Sequence, residues 1–184
     1  HSGDDINKNL ANANKLLTRI LWQGANEFDL RIYDIQGGNL RNAIAREAMA
    51  VAFVPEEFQE EFEEFVKIME QNFRREYQVT EPNLAVKAVV AETQPELVID
   101  EMTQFDLLNA LYACPHGVLR MSDDMPGLVE TSTNLAAVKI IENNQILITT
   151  SQRSSTESSK KDAAYMVESV FVLAGAKATH GDGY

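Results

Sequence analysis

The chain has 184 residues, of which 45% are hydrophobic and 24% are charged, so it can bury an apolar core and is not a disordered segment. Its formal net charge is −12, which argues against nucleic acid and anionic membrane surfaces as partners, because both attract basic proteins. Cys114 is the single cysteine and no apolar run of about 18 residues occurs, so an internal disulfide and a spanning helix are excluded and a reducing, cytoplasmic compartment is expected.

The first half of the chain alternates between helical and strand patterns. Apolar residues recur at helical spacing up to Gly24, and acidic and basic residues lie at opposite ends of a phenylalanine-rich helix. Two runs of alternating polarity end at Gly37–Gly38 and at Pro55. The predicted elements are a helix from Leu10 to about Gly24, strands at 28–36 and 47–54, a helix at 56–75 and a strand at 83–92.

The second half repeats this order of elements. Asn143–Asn144 is a favoured turn pair for a hairpin, and Gly175 is a natural helix stop. The predicted elements are a helix at 103–113, a loop at 115–127, strands at 135–142 and 145–152, a helix at 154–175 and the start of a strand at 177–184. We therefore expect an α+β fold of two tandem ferredoxin-like (βαββαβ-type) units, about 1–93 and 94–184, with antiparallel sheets covered by helices.

Residue patterns by themselves indicate no complete active site. The three histidines, His1, His116 and His180, form no metal-binding spacing, and no glycine-rich phosphate loop occurs. Cys114 lies two residues from His116, but neighbours along a chain seldom face each other, and a half-buried structural cysteine is the simpler interpretation. Asp123–Asp124 is better explained as a turn than as an acid–base pair.

Polar side chains stand at three junctions between elements. They are His1 at a helix start, the group Asn39, Arg41 and Asn42 after a double glycine, and Arg153 at a strand end. Either these are ordinary turn and surface residues, or they form a hydrogen-bonding set that is presented to the oxygens of a ligand. The residues alone leave both interpretations open.

Four segments together resemble the lid of the aminoacyl-histidine (Xaa-His) dipeptidases, within the two-zinc metallopeptidases that include peptidase V and carboxypeptidase G. They are HSGDDINKNLANANKLL, GGNLRNAIAREA, LRMSDDMPGLVETSTNLA and QRSSTESSKKD. The resemblance implies that residues 1–184 are a lid domain from a larger peptidase. It also implies that two zinc ions are held by His, Asp and Glu ligands of a separate catalytic domain, with no cofactor in this chain.

The resemblance assigns expected roles to three residues. His1 would polarise the scissile carbonyl and stabilise the oxyanion, Asn42 would hydrogen-bond the substrate, and Arg153 would hold the substrate's C-terminal carboxylate. Ala45 stands where the family pattern has proline, which departs from the rigid loop of the family.

The two predicted units carry complementary parts of this set. The first unit has His1 and Asn42 but no arginine in VAFVPEE, whereas the second has Arg153 but no start like HSG. One lid would therefore supply all three groups to one active site. The expected partners are the catalytic domain, a dipeptide substrate and, in a dimer, a second copy of the chain; without the catalytic domain we expect no activity. The alternative is a stand-alone ligand-binding or dimerisation module.

Overall fold

The computed structural model describes residues 1–92 and 94–181. Five helices and five strands follow one another, with single 3₁₀ turns before α3 and between β4 and β5. They are α1 (Ser2–Asp5), α2 (Ala13–Phe28), β1 (Arg31–Gly37), β2 (Ala48–Phe53), α3 (Gln59–Glu76), α4 (Glu101–Ala113), β3 (Gly117–Met121), β4 (Val129–Ile141), β5 (Gln145–Ser154) and α5 (Glu157–Leu173).

All five strands form one antiparallel sheet around the 13-residue strand β4. One edge of β4 pairs with β5 over residues 131–141. The two strands are joined by the hairpin at Asn143 and Asn144, whose φ angles of 61° and 56° are those of a tight hairpin turn. The sheet and its helices confirm the α+β class with an antiparallel sheet covered by helices. Pairing of β1 with β4 joins the regions 1–93 and 94–184 in this one sheet.

The other edge of β4 is shared by two strands that do not meet. Val138 and Lys139 pair with the end of β1, and residues 129–133 pair with β3, so residues 134–137 have no strand beside them on this side. We call this side the split edge and the side along β5 the continuous edge. A register shift between Leu135 and Ala137 marks a bulge at the same place.

One face of the sheet is covered by helices α2, α4 and α5. Strand residues on this face and the helices share one buried cluster, which includes the fully buried Ile32, Leu111 and Leu135. We call this the helix-covered face and the opposite one the open face. Helix α3 packs against α2 through a second cluster around Phe73, which is also fully buried.

Three segments differ from the sequence prediction. Residues 83–92 form no strand, because Leu84 and Val86 pack against the second cluster and the Val86 N–H donates to the Glu70 carboxylate instead of to a strand. The loop predicted at 115–127 contains β3. The strand predicted at 177–184 is not formed over 177–181, and its remaining residues lie outside the described part of the chain.

The first predicted helix, from Leu10 to about Gly24, begins and ends later in the structure, and the separate short helix α1 precedes it. Asn9 has a φ of 57°, and the Asn12 side chain caps α2 by accepting from the N–H of Asn14 at 2.8 Å. Helix α2 therefore starts at Ala13 and runs past Gly24 to Phe28, where Asp29 adopts the left-handed conformation that ends it. The short helix α1 is thereby free to pack elsewhere, at the polar junctions described next.

Candidate functional site

His1 lies at the start of α1 with its ring oriented by the backbone. Its Nδ1 accepts from the Gly3 N–H at 3.1 Å, so the neutral ring carries its proton on Nε2. Nε2 lies 3.5 Å from the Asn42 side-chain amide nitrogen, and since both groups are donors, they lie side by side without a hydrogen bond between them. With 42% of its side chain exposed, the imidazole can present a donor to a ligand.

Asn42 lies in the loop between β1 and β2, and this loop packs tightly on β4. Gly38, with a φ of 70°, leaves no room for a side chain, since a Cβ there would collide with the carbonyl oxygen of Ala136. The Asn42 carbonyl oxygen accepts from the Ser2 N–H at 2.8 Å. This bond ties the loop to α1 and so brings Asn42 beside His1.

Arg153 reaches the same place from the end of β5. It pairs with Ser132 of β4, and its guanidinium packs directly against the backbone of Gly3. A Cβ built on Gly3 would lie 2.8 Å from Arg153 Cζ and 3.1 Å from His1 Cε1. The structure thus brings together all three residues that were selected from the sequence. Gly3, which has no side chain, lies between His1 and Arg153.

Side chains of Asn12, Asn14 and His116 bind the β4 backbone at the split edge. The Asn12 amide donates to the Leu135 carbonyl at 2.9 Å, the Asn14 amide donates to the Ala136 carbonyl at 3.4 Å, and His116 Nδ1 accepts from the Leu135 N–H at 3.2 Å. These side chains replace the missing strand. Sequence reasoning missed them, and the available signal was the pair Asn12 and Asn14 within an otherwise apolar helical pattern.

Asn134 of β4 holds the other side of the Asn42 loop. Its side-chain amide donates to the Ala43 carbonyl at 2.9 Å and lies 3.4 Å from the Arg41 carbonyl. Asn134 is 2% exposed, and so is Ser2. Asn134 Oδ1 and Ser2 Oγ are buried, and neither has a hydrogen-bond partner among residues 1–92 and 94–181.

Cys114 and His116 do not form a nucleophilic pair. Burial raises the pKa of the Cys114 thiol to about 11, and the thiol lies 3.6 Å from the Pro115 carbonyl oxygen, so it stays protonated at neutral pH. Burial and nearby Lys15 lower the pKa of His116 to about 4, so its ring is neutral. Lys15 itself donates to the carbonyls of Leu111, Tyr112 and Cys114 at the end of α4.

The other features considered in the sequence or seen in the structure do not involve His1, Asn42 or Arg153. Asp123 is in a turn and pairs with Arg120 at 2.6 Å, as the turn interpretation expects. A cavity of about 490 Å³ lies between α2 and α4, and its lining includes Trp22 and Phe105 but none of the three selected residues. Within residues 1–92 and 94–181, no three or more His, Cys, Asp or Glu side chains are grouped to hold a metal ion. None of the described helices is long and apolar enough to cross a membrane.

The sequence and fold match known proteins. Residues 1–81, which include His1 and Asn42, match the family described as the peptidase dimerisation domain. This match and the two relatives described next confirm the resemblance found in the sequence, to a dimerisation-type domain of a dipeptidase.

Two individual relatives extend the match over almost the whole chain. The cytosol non-specific dipeptidase of Escherichia coli strain K12 is 39% identical over 178 residues, which are 96% of this chain and 36% of that protein. The crystal structure of aminoacylhistidine dipeptidase from Vibrio alginolyticus has a TM-score of 0.90 and 37% identity, with the same coverage of 96% and 36%. The chain therefore spans about a third of the length of these two relatives.

Proposed function

We propose that this chain is the lid of a cytoplasmic, metal-dependent dipeptidase that hydrolyses Xaa-His and related dipeptides. The observation that carries the proposal is the meeting of three residues at the start of α1: Arg153 and His1 beside Gly3, and Asn42 beside His1. Residues so far apart in the chain meet there because α1, the β1–β2 loop and the end of β5 converge on one end of the sheet. The names of the two relatives, both dipeptidases, support the same reaction class.

The three side chains are donors that match the oxygens of a dipeptide. The forked guanidinium of Arg153 suits the C-terminal carboxylate, which it can bind through two parallel hydrogen bonds. The His1 Nε2–H and the Asn42 amide suit the carbonyl oxygen that becomes negative as the peptide bond is attacked. Closure of the lid would bring these donors to the substrate and exclude water from it.

The catalytic metal would be held outside this chain. The described residues offer no grouped set of metal ligands, and so no step assigned to them passes through a metal. Two zinc ions, bound by the catalytic part of the full enzyme, would supply an activated water. This chain contributes orientation of the dipeptide and stabilisation of the developing charge.

The internal pairing of the two halves supports a lid that acts within one chain. Strand β1 pairs with β4, and helices α2 and α4 pack side by side through the main core cluster. Both halves are therefore present at one site, with His1 and Asn42 from the first and Arg153 from the second. A homodimer would then be formed by other surfaces, without exchange of these three groups.

Substitutions in the full-length enzyme test the proposal. We expect His1→Ala to lower kcat by about 10²–10³, the usual effect of one oxyanion donor, without changing metal content. Arg153→Ala should raise KM for dipeptides, and Arg153→Lys should restore only part of the binding because an ammonium lacks the planar fork.

Arg74→Ala is the matched control. Arg74 is an exposed arginine of α3 that pairs with Glu70, and α3 packs on α2 rather than on the segments that carry His1, Asn42 and Arg153, so its loss should leave kcat and KM unchanged. If the His1 and Arg153 variants behave like this control, the three residues have no part in catalysis. The stand-alone binding or dimerisation module would then be the better description.

A further inference from the structure

Asn134 is a buried polar residue of β4, the strand that pairs with β5. Its side chain links β4 to the loop between β1 and β2, which carries Asn42. It lies on β4 two positions from Ser132, the partner of Arg153, so both side chains belong to the same face of the sheet. Leu135, the next residue, points to the opposite, helix-covered face and is fully buried there. Asn134 therefore lies under the site rather than in the apolar core.

The Asn134 amide holds the backbone on both sides of Asn42. The carbonyl groups of Ala43 and Arg41, at 2.9 and 3.4 Å from Nδ2, are those of the residues that flank Asn42. The Asn42 carbonyl in turn accepts from the Ser2 N–H, next to His1. One side chain thus fixes a loop and, through that loop, the start of α1.

The Asn134 side chain is retained at a cost. None of the described residues pairs with its buried Oδ1, which is unfavourable. An apolar residue would avoid this cost but would leave the Ala43 carbonyl without its donor. The carboxamide is therefore suited to holding the loop at 41–43 through Nδ2. Groups that orient a reacting residue in this way are as important for rate as contacts to the substrate itself.

We propose that Asn134 is a positioning residue, which sets Asn42 and His1 at the correct distance from Arg153 by holding the loop at 41–43 onto β4. Asn134 touches no substrate in this scheme. The inference rests on the proposed function, since it assigns to Asn134 the geometry of the donors that the proposed mechanism uses.

The test is kinetic and uses the full-length enzyme. Asn134→Ala should lower kcat/KM by about 10- to 100-fold, because displaced donors stabilise the transition state less well. Asn134→Ser, which keeps a small donor and no charge, should lose less. Both variants are assayed at a temperature where circular dichroism shows them to be folded. If the alanine variant does not fold, the test of positioning uses the kcat/KM of Asn134→Ser.

Gln104→Ala is the matched structural control. Gln104 is another buried carboxamide, 6% exposed, which donates to the Leu30 carbonyl and accepts from the Ile32 N–H at 2.8 Å. It serves the opposite end of β1, away from the cluster. Its loss should lower the thermal midpoint but leave kcat/KM within about twofold, because it removes only local backbone hydrogen bonds.

A double-mutant cycle separates positioning from general weakening. Because Asn134 acts on the loop that carries Asn42 and, through its backbone, on His1, Asn134→Ala should lower kcat/KM less in an Asn42→Ala background than in the wild-type enzyme. Additive losses, or an Asn134→Ala enzyme that behaves like the Gln104 control, would overturn the positioning role. If the His1, Asn42 and Arg153 variants all keep wild-type kinetics, the proposed function itself fails. If they lose activity while the Asn134 variants do not, only this inference fails.

Discussion

The backbone N–H and C=O groups on the two edges of strand β4 find their hydrogen-bond partners in different ways. Along the continuous edge, backbone groups of β4 pair with those of β5 from Thr131 to Ile141, with one bulge between Leu135 and Ala137. Along the split edge, side chains of Asn12, Asn14 and His116 bind the backbone of residues 135 and 136 in place of a strand. The continuous edge delivers Arg153, and the split edge lets the His1 and Asn42 segments reach the same end of the sheet.

This difference shows where side-chain chemistry decides the structure. A continuous ladder satisfies its backbone whatever the side chains are, whereas a gap in a ladder needs donors and acceptors of the right length. Substitutions should therefore matter most at the core that supports both edges, then at the split edge, and least at the continuous edge.

The largest loss of stability is expected for a substitution of Leu135, whose side chain packs into the main core cluster beneath β4. Leu135 is fully buried in the main cluster, at the gap itself. Leu135→Ala should lower the free energy of unfolding by about 2–5 kcal/mol through lost burial and a cavity. Urea denaturation of the 184-residue chain measures this. A loss below about 1 kcal/mol would mean that Leu135 contributes little to the stability of the core.

The next effect is a pH dependence that belongs to the split edge. The pKa of His116 is about 4 in the folded chain and 6.5 in its ordinary state, so between these values only the unfolded chain binds the proton. Stability should therefore be complete above pH 6.5 and fall by roughly 2–3 kcal/mol as the pH drops to 4.

His116→Asn separates this dependence from the titration of carboxylates. Asparagine can place an acceptor near the position of Nδ1 but does not titrate, so the variant should show a flatter stability profile between pH 4 and 6.5. Thermal midpoints measured across this range are the readout. Equal slopes in both proteins would assign the pH dependence to other groups.

A smaller effect is expected for Asn12. Its side chain caps α2 and also satisfies the Leu135 carbonyl, so Asn12→Ala removes a cap and leaves a buried acceptor without a partner. Together these changes should reduce the free energy of unfolding by about 2 kcal/mol. Denaturant titration checks the value, and a neutral result would show that water replaces the side chain at the split edge.

The smallest effect is expected at the continuous edge. Gln152 of β5 donates to the hydroxyl groups of Thr133 and Thr150, but the backbone there is already paired. Gln152→Ala should cost less than about 1 kcal/mol, as partly exposed side-chain hydrogen bonds usually do. Measured beside Asn12→Ala, it tests the comparison directly. A Gln152 effect as large as that of Asn12 would remove the distinction between the two edges.

Local patterns predicted the elements with long, uninterrupted periodicity. The Phe62–Phe73 stripe predicted α3, and Asn143–Asn144 predicted the β4–β5 hairpin, because each signal arises within a single element or turn. Residues 83–92 have a strand pattern but form no strand. A strand also needs the edge of another strand to pair with, and here Leu84 and Val86 pack against the cluster around α3 instead. Pairing partners are not encoded in local periodicity.

The candidate site followed a similar division. The sequence by itself determined the acidic α+β character of the chain, its family resemblance, and the choice of His1, Asn42 and Arg153, because these depend on residue types and on motifs. Only the tertiary structure decided that the three converge at the start of α1 and that Asn134 lies beneath them. Convergence depends on a gap in the sheet and on contacts between residues about 90 or more positions apart, such as Asn12 with Leu135 and Asn134 with Ala43. Spacing along a chain carries no such information, because a gap exists only once the strands have paired.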